Sequence, residues 1–243
     1  MILLIRGHVR NAFDNPSLYV FLQMLVSIYD NDVKVYIHTM DITQNNLSWR
    51  DIPEILDNIT ETKIKDYFKE LSKFIKYIKI SKTEDIQLIG NINYKLTNHP
   101  ISNQRTPLQN TNMLIGWKNM WWVINTILHE MYDNHKIRNN ELIINTRFDI
   151  FSNITPCNLY SIFDLLERTH FSKTYVKHNN TFITNNLCTG IDNIYIGNIY
   201  TMLELSVVFH NKLEEVVKKY PNIMNQEYYV YYVNQYLVCS NSV

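Results

Sequence analysis

The pattern that most constrains the fold lies within the first 38 residues. Residues 1–5 are an uninterrupted apolar run that ends at Arg6 and Gly7, which is typical of a strand buried on both faces. Residues 18–29 then place their apolar side chains on one side of a helix, and residues 33–38 form a second strand-like segment. A strand, a helix and a strand so close together predict a βαβ unit in a parallel sheet.

The next segments continue this alternation, so we expect an α/β fold. Residues 60–71 have the apolar spacing of a helix, and residues 74–80 alternate apolar side chains with lysine like a half-exposed strand. A single helix that runs to residue 79 is the alternative interpretation. Residues 81–112 show no sustained period and predict a long loop.

The second half of the chain predicts further strands and helices. Gly116 precedes a helix predicted over residues 117–132, and a strand at residues 141–145 runs into Thr146-Arg-Phe-Asp149. The last third predicts strands at residues 172–176 and 191–196, a helix at 200–220, and either a strand or a terminal helix at 227–238. Because repeats and Pro/Gly-rich linkers are missing, we expect residues 1–243 to form a single domain.

Composition excludes several classes of protein. Hydrophobic residues make up 46% of the chain and charged residues 19%, which indicates a sizeable core and not disorder. Lysine and arginine together equal aspartate and glutamate at 23 each, so we expect no nucleic-acid partner. Three cysteines without CxxC spacing, and no apolar run of about 18 residues, predict a soluble cytoplasmic protein with free thiols and no membrane span.

The sequence lacks the common nucleotide-binding and hydrolase motifs. Neither GxGxxG nor GxxxxGK[ST] occurs, which argues against Rossmann dehydrogenases and P-loop kinases. GxSxG and HExxH are missing as well. His129 and His135 would not share one face of a helix, so we do not expect a histidine metal site.

The candidate site residues are those that directly follow the predicted strands. Ligands of open α/β sheets bind outside the carboxyl ends of the strands. These positions hold Arg6, His8, Arg10, Thr39, Asp41, Arg147 and Asp149. Arginines suit a diphosphate and an acid suits a divalent cation. Arg147 and Asp149 share one face of an extended segment, so both can reach one cleft. The alternatives are a local ion pair that caps the strand end and, for Arg6 and Arg10, ordinary surface charge.

Five segments of the sequence resemble a known family. They are residues 2–11 (ILLIRGHVRN), 35–39 (VYIHT), 116–121 (GWKNMW), 144–149 (INTRFD) and 192–197 (DNIYIG). In this order they resemble glycosyltransferases of large DNA viruses and, more distantly, bacterial lipopolysaccharide-synthesis proteins of the WavE type. The resemblance spans nearly the whole chain. It implies a GT-A-like fold, a location in the host cytoplasm for a viral protein, and transfer of a sugar from a nucleotide diphosphate sugar to a glycan or other hydroxyl acceptor.

The resemblance also implies roles for single residues. Residues 1–150 would bind the nucleotide sugar, and residues 151–243 the acceptor. Arg147-Phe-Asp149 takes the place of the DxD motif, with Arg147 at the position of the first acid. Asp149 is then the implied ligand of Mn²⁺ or Mg²⁺, and Arg147 neutralises charge on the departing nucleoside diphosphate. Asp192 is the candidate base of an inverting enzyme, with a turn residue as the alternative. The implied nucleotide contacts are Arg6, Gly7, His8, Arg10, Thr39 and Trp117.

Two other functions are compatible with the sequence. The first is a catalytically silent protein that binds a glycan or a nucleotide sugar with the same fold, since Arg147 replaces an acid. The second is a nucleotidyltransferase that activates sugars, which also combines βαβ topology with acidic metal ligands. The absence of a glycine-rich first loop argues against this second function.

Overall fold

The computed structural model describes residues 1–47, 52–90, 107–138, 140–149, 181–182, 194–220, 229–230 and 232–233. The strands are β1 (Ile2–Arg6), β2 (Lys34–Met40), β3 (Ile42–Gln44), β4 (Ile55–Asn58), β5 (Ile75–Ser81), β6 (Ile143–Arg147), β7 (Thr181–Phe182) and β8 (Ile194–Gly197). The α-helices are α1 (Ser17–Ile28), α2 (Glu61–Phe68), α3 (Pro107–Asp133) and α4 (Ile199–Lys219). Short 3-10 turns lie at Ala12–Asp14, Lys69–Phe74 and Thr83–Asp85.

Six of these strands form one mixed sheet in the order β5-β2-β1-β6-β8-β7. The four strands β5, β2, β1 and β6 are parallel, whereas β8 is antiparallel to both β6 and β7. Strands β3 and β4 form a separate antiparallel pair. The prediction of an α/β fold with a mainly parallel sheet is confirmed, and a GT-A-like fold stays a prediction.

Helices cover both faces of the sheet. Leu3 and Ile5 of β1 pack in one core cluster with residues of α1 and α2. Ile2 and Leu4 pack in a second core cluster with residues of α3 and α4. Successive side chains of a strand point to opposite faces, so both sets must be apolar when helices cover both faces. This explains the uninterrupted apolar run at the start of the sequence.

The helix predicted over residues 60–71 ends earlier than its apolar spacing indicates. Helix α2 ends at Phe68, and the chain continues through the 3-10 turn Lys69–Phe74 into β5. Lys69 has a φ of 49°, in the left-handed region that terminates helices. The alternative of a single helix to residue 79 is therefore wrong, and the strand predicted at residues 74–80 is confirmed.

Helix α3 begins earlier than predicted. It starts at Pro107, so the loop predicted over residues 81–112 is wrong for its last six residues, while residues 91–106 lie outside the described ranges. Gly116 lies inside this helix instead of preceding it. A Cβ atom at residue 116 would be 2.7 Å from the carbonyl oxygen of Leu47, so glycine lets the helix pass close to that segment. Gly116 is therefore the point where α3 passes close to the backbone of Leu47, and it is not a helix boundary.

The remaining predictions are partly covered by the structure. The strand predicted at residues 191–196 corresponds to β8, and the helix predicted at 200–220 corresponds to α4, which departs from helical geometry at Lys212. The strand predicted at residues 172–176 lies outside the described ranges. Of residues 227–238, four are described and they are helical. Within the described parts of the chain, no helix has the length and apolar character needed to cross a membrane.

A buried side chain caps the amino end of α4, and an exposed side chain caps that of α2. The buried Asn198 Oδ1 accepts hydrogen bonds from the Thr201 N–H at 3.0 Å and the Thr201 hydroxyl at 2.9 Å. At α2, Thr60 Oγ1 accepts from the Lys63 N–H at 3.2 Å in an exposed setting. Loss of a capping side chain leaves backbone N–H groups without an acceptor. At a buried cap such as Asn198, water cannot replace the lost acceptor.

We expect Asn198→Ala to lower the free energy of unfolding by about 1–2 kcal/mol and Thr60→Ala by about 0.5–1 kcal/mol. Urea denaturation of the full chain measures both values. Ser27→Ala is the control, because its exposed hydroxyl bonds the Gln23 carbonyl on the surface of α1. A cost for Asn198→Ala no larger than that of Ser27→Ala would contradict the capping role.

Candidate functional site

The carboxyl ends of β1 and β6 meet where the strand order of the sheet reverses. From β1 the chain crosses through α1 to β2 on one side, whereas β6 pairs with β1 on the other side. Such a switch point opens a crevice in which open α/β sheets bind their ligands. Arg6 at the end of β1 is in register with Arg147 at the end of β6. Predicted site residues from two distant parts of the sequence therefore lie side by side.

Arg10, Arg147 and Asp149 form an ion-paired group at this crevice, which we call the arginine–aspartate cluster. Arg147 donates from Nε to Asp149 Oδ1 at 2.9 Å and from Nη2 to Oδ2 at 2.6 Å. Arg10 donates from Nη1 to the same Oδ2 at 2.8 Å. The side chain of Asp149 is 13% exposed, compared with 23% for Arg147 and 37% for Arg10. The carboxylate thus lies deeper than the two guanidinium groups that bind it.

The charges of the cluster keep Asp149 ionised. Burial raises the pKa of the Asp149 carboxyl, but the guanidinium groups of Arg147 and Arg10 outweigh burial and hold that pKa below its ordinary value. The local ion pair considered as an alternative for Arg147 and Asp149 is present. It is one of two ion pairs made by Asp149, because Arg10, from the loop after β1, also binds this carboxylate.

Arg6 adds a buried positive charge beside the cluster. Its side chain is only 1% exposed, so its interpretation as ordinary surface charge is wrong. Its Nε donates to Asn145 Oδ1 at 2.9 Å, and its guanidinium carbon lies 5.4 Å from the centre of the Tyr195 ring. Among the residues that the structure describes, this corner of the sheet holds three arginines and one aspartate, a charge distribution that favours an anionic ligand.

Asn145 is a site residue that the sequence analysis did not single out. It is fully buried in β6, and its Nδ2 has no hydrogen-bond partner among the residues that the structure describes. Buried amide groups normally find such partners. The signal in the sequence is a polar residue inside an otherwise apolar strand that ends at the switch point.

Backbone conformation shapes the loop after β1. Gly7 has a φ of 84°, its N–H donates to the His38 carbonyl at 3.0 Å, and the Thr39 hydroxyl donates to the Gly7 carbonyl at 2.8 Å. Arg10 also has a left-handed conformation, with a φ of 53°, which costs a residue with a side chain about 1–2 kcal/mol. Strain of this kind concentrates at binding sites, and here it accompanies the contact of Arg10 with Asp149.

Two histidines near the crevice are neutral at physiological pH. Burial lowers the pKa of His8 to about 4, and its Nδ1 lies 3.4 Å from the Ile42 carbonyl oxygen. Burial also lowers the pKa of His38 to about 4. His38 lies 3.0 Å from both the Val123 carbonyl oxygen and Ser81 Oγ, so it connects β2, β5 and α3. Neither histidine adds positive charge to the site at neutral pH.

Three other predicted site residues, Asp41, Trp117 and Asp192, are not joined to the cluster by contacts that the structure describes. The backbone of Asp41 donates to the Ser81 carbonyl at 2.9 Å and accepts from the Ile59 N–H at 2.7 Å. Trp117 is half-buried in α3, where it packs against the second core cluster with its ring 6.0 Å from that of Tyr229. Its stacking on a nucleotide stays a prediction. Asp192 lies outside the described ranges.

The residues described at this edge do not fit a divalent cation. Both carboxylate oxygens of Asp149 already accept hydrogen bonds from guanidinium groups. In the part of the chain that the structure describes, no group of three or more His, Cys, Asp or Glu side chains comes together as a cation site. A hard cation such as Mn²⁺ or Mg²⁺ needs several oxygen ligands. The binding of either ion at Asp149 stays a prediction.

Comparison with known proteins gives no further assignment. No protein-family model, no curated protein and no solved structure matches this chain. The function proposed below therefore depends on the geometry of the crevice and on the resemblance in sequence.

The two neutral histidines predict a pH dependence of stability. Because their pKa in the folded chain lies below the ordinary 6.5, the unfolded chain binds more protons between pH 6.5 and about 4. Their contribution is complete above pH 6.5 and decreases as the pH falls. We expect the free energy of unfolding to drop by about 1–3 kcal/mol per histidine across that window.

Urea denaturation between about pH 7.5 and pH 5 measures this dependence, and we expect His8→Asn and His38→Asn each to flatten it by roughly half. The control His129→Asn, at an exposed position of α3, should keep the slope of the wild type. Equal slopes in all four proteins would show that neither buried histidine is responsible.

Proposed function

We propose that this chain is a glycosyltransferase that moves a sugar from a nucleotide diphosphate sugar to a glycan or other hydroxyl acceptor. The observation that supports it most directly is the arginine–aspartate cluster at the switch point of the parallel sheet, with Arg6 beside it. Guanidinium groups bind phosphate oxygens through two parallel hydrogen bonds. Two partly exposed guanidinium groups at a ligand-binding crevice suit a diphosphate.

The loop after β1 leaves room for the nucleotide. A Cβ atom at Gly7 would meet no heavy atom of the described residues within 4 Å, and the left-handed φ of Gly7 turns the chain away from the end of β1. A backbone without a side chain lets a ligand approach closely. We assign the nucleotide to the space above Gly7, with Thr39 fixing the loop through its bond to the Gly7 carbonyl.

The reaction assigns a separate role to each charged group. The oxygen of the acceptor hydroxyl attacks the anomeric carbon, and the bond between that carbon and the diphosphate oxygen breaks. Its electron pair leaves with the nucleoside diphosphate, whose growing negative charge Arg147 and Arg10 neutralise. In an inverting reaction Asp192 takes the proton of the hydroxyl.

The direction of β8 supports Asp192 as the candidate base. Because β8 is antiparallel to β6, it begins at the edge of the sheet where β6 ends, and Ile194 pairs with Thr146. Asp192 precedes Ile194 by two positions in the sequence. The described start of β8 thus lies at the same edge of the sheet as Arg147, and the role of Asp192 as the base is part of the proposal.

A silent binding protein is the second candidate, and the pairing of Arg147 with Asp149 favours it. Both oxygens of Asp149 accept from guanidinium groups, so this carboxylate is not free to hold the cation that a metal-dependent transferase uses. This alternative predicts binding of a nucleotide sugar without turnover. Release of nucleoside diphosphate from the bound sugar nucleotide, in the presence of acceptor glycans, separates the two functions.

A thermal-shift screen tests the nucleotide site. We expect one of the diphosphates UDP, GDP and dTDP, and not the monophosphate CMP, to raise the melting temperature of the full chain, because a ligand that binds only the folded state stabilises it. Each nucleotide is tested with Mn²⁺ and with a chelator. We expect Arg147→Ala to weaken binding by about tenfold, which reduces the stabilisation by about 1.4 kcal/mol.

Glu61→Gln is the matched control, because it removes a carboxylate from the exposed ion pair with Lys65 on α2. It should keep the nucleotide shift of the wild type. A complete lack of shift with all four nucleotides, or an equal shift in Arg147→Ala, would contradict the assignment of the diphosphate to this cluster.

A further inference from the structure

Asp149 occupies the same guanidinium edges that a phosphate would use. Its two oxygens take the Nε and Nη2 donors of Arg147, which is the paired geometry that phosphates and carboxylates share. Its Oδ2 also takes the Nη1 donor of Arg10. A diphosphate that binds both arginines by these edges must therefore replace Asp149.

We propose that Asp149 is an internal counter-ion, which a diphosphate displaces from Arg147 and Arg10, and that it is not a ligand of a divalent cation. The identity of the diphosphate compound rests on the proposed function, whereas the exchange itself rests on the ion pairs. Asp149 keeps the arginines paired in the ligand-free protein. It returns to them when the nucleoside diphosphate leaves.

Like charges meet at the cluster, and Asp149 reduces the repulsion between the two arginines that it pairs with. Arg6 and Arg147 are register neighbours on adjacent strands, and like charges so placed repel each other. Arg10 approaches from a strained backbone and brings a third guanidinium group to the same corner. The side chain of Asp149 is less exposed than those of Arg10 and Arg147, so it pairs with both arginines while their side chains stay partly exposed.

An internal counter-ion and a cation ligand predict opposite effects of one substitution. Asparagine at position 149 keeps the size of the side chain and removes its charge, so it no longer competes with a phosphate for the guanidinium groups. Anion binding then becomes tighter, and the ligand-free protein becomes less stable. If Asp149 held a cation instead, the same substitution would weaken binding of a diphosphate that depends on that cation.

Isothermal titration of inorganic pyrophosphate into the full chain tests this proposal, with EDTA and with Mg²⁺. We expect the wild type to bind pyrophosphate in EDTA, so that binding does not require Mg²⁺. We expect Asp149→Asn to bind pyrophosphate at least about tenfold more tightly and to melt at a lower temperature without ligand. Arg147→Ala should weaken binding by about tenfold, and Glu61→Gln should match the wild type.

Weaker binding by a folded Asp149→Asn, or binding by the wild type only with Mg²⁺, would overturn the proposal. If Asp149→Asn does not fold, the comparison of EDTA with Mg²⁺ in the wild type still shows whether pyrophosphate binding requires a cation. The proposed function fails separately. Pyrophosphate binding with no transfer from any nucleotide sugar would contradict the proposed transferase activity. Transfer that is abolished by EDTA and by Asp149→Asn would contradict the role of Asp149 as an internal counter-ion.

Discussion

Burial of β1 on both faces is the constraint on which the rest of this structure depends. All five of its residues are buried, and its side chains alternate between the two core clusters. Full burial of each aliphatic side chain contributes about 1.5–3 kcal/mol. Because β1 is also the strand that pairs with both β2 and β6, the same burial fixes the reversal in strand order. The crevice and its arginines follow from that reversal.

The charge of this crevice shows why overall composition says little about binding. The chain has as many acidic as basic residues, yet three arginines and one aspartate meet at one corner of the sheet. Arg6 bears its charge in an almost fully buried position, where the Asn145 amide oxygen and the Tyr195 ring lie against it. A chain whose net charge is zero can thus gather several arginines at one corner without attracting a polyanion such as nucleic acid.

The sequence predicts elements with a clear apolar period and misses features set by distant contacts. The strand order could not be read from it, but β1 and β6 were predicted as strands, and the residues at their carboxyl ends lie side by side. Their role in a binding site stays a prediction. The contact of Arg10 with Asp149 joins residues 139 positions apart, and no local pattern encodes it. The burial of Arg6 was not predicted, because arginine is usually exposed. The position of Gly116 inside a helix was not predicted either, because glycine usually indicates a helix boundary. In both cases the surroundings of the residue are set by a segment remote in sequence, Asn145 and Tyr195 for Arg6 and Leu47 for Gly116.

The pairing of β1 with β6 also bears on how the chain folds during synthesis. The apolar strand β1 is made well before β6, the one of its two partners that ends only at Arg147. Contacts of such high sequence separation form slowly, because a long loop must close before they are made. During synthesis on the ribosome, one edge of β1 stays unpaired until β6 has been made. An unpaired apolar strand is prone to aggregation and is a natural substrate for chaperones. The strand that organises the native protein is thus the one most at risk before folding is complete.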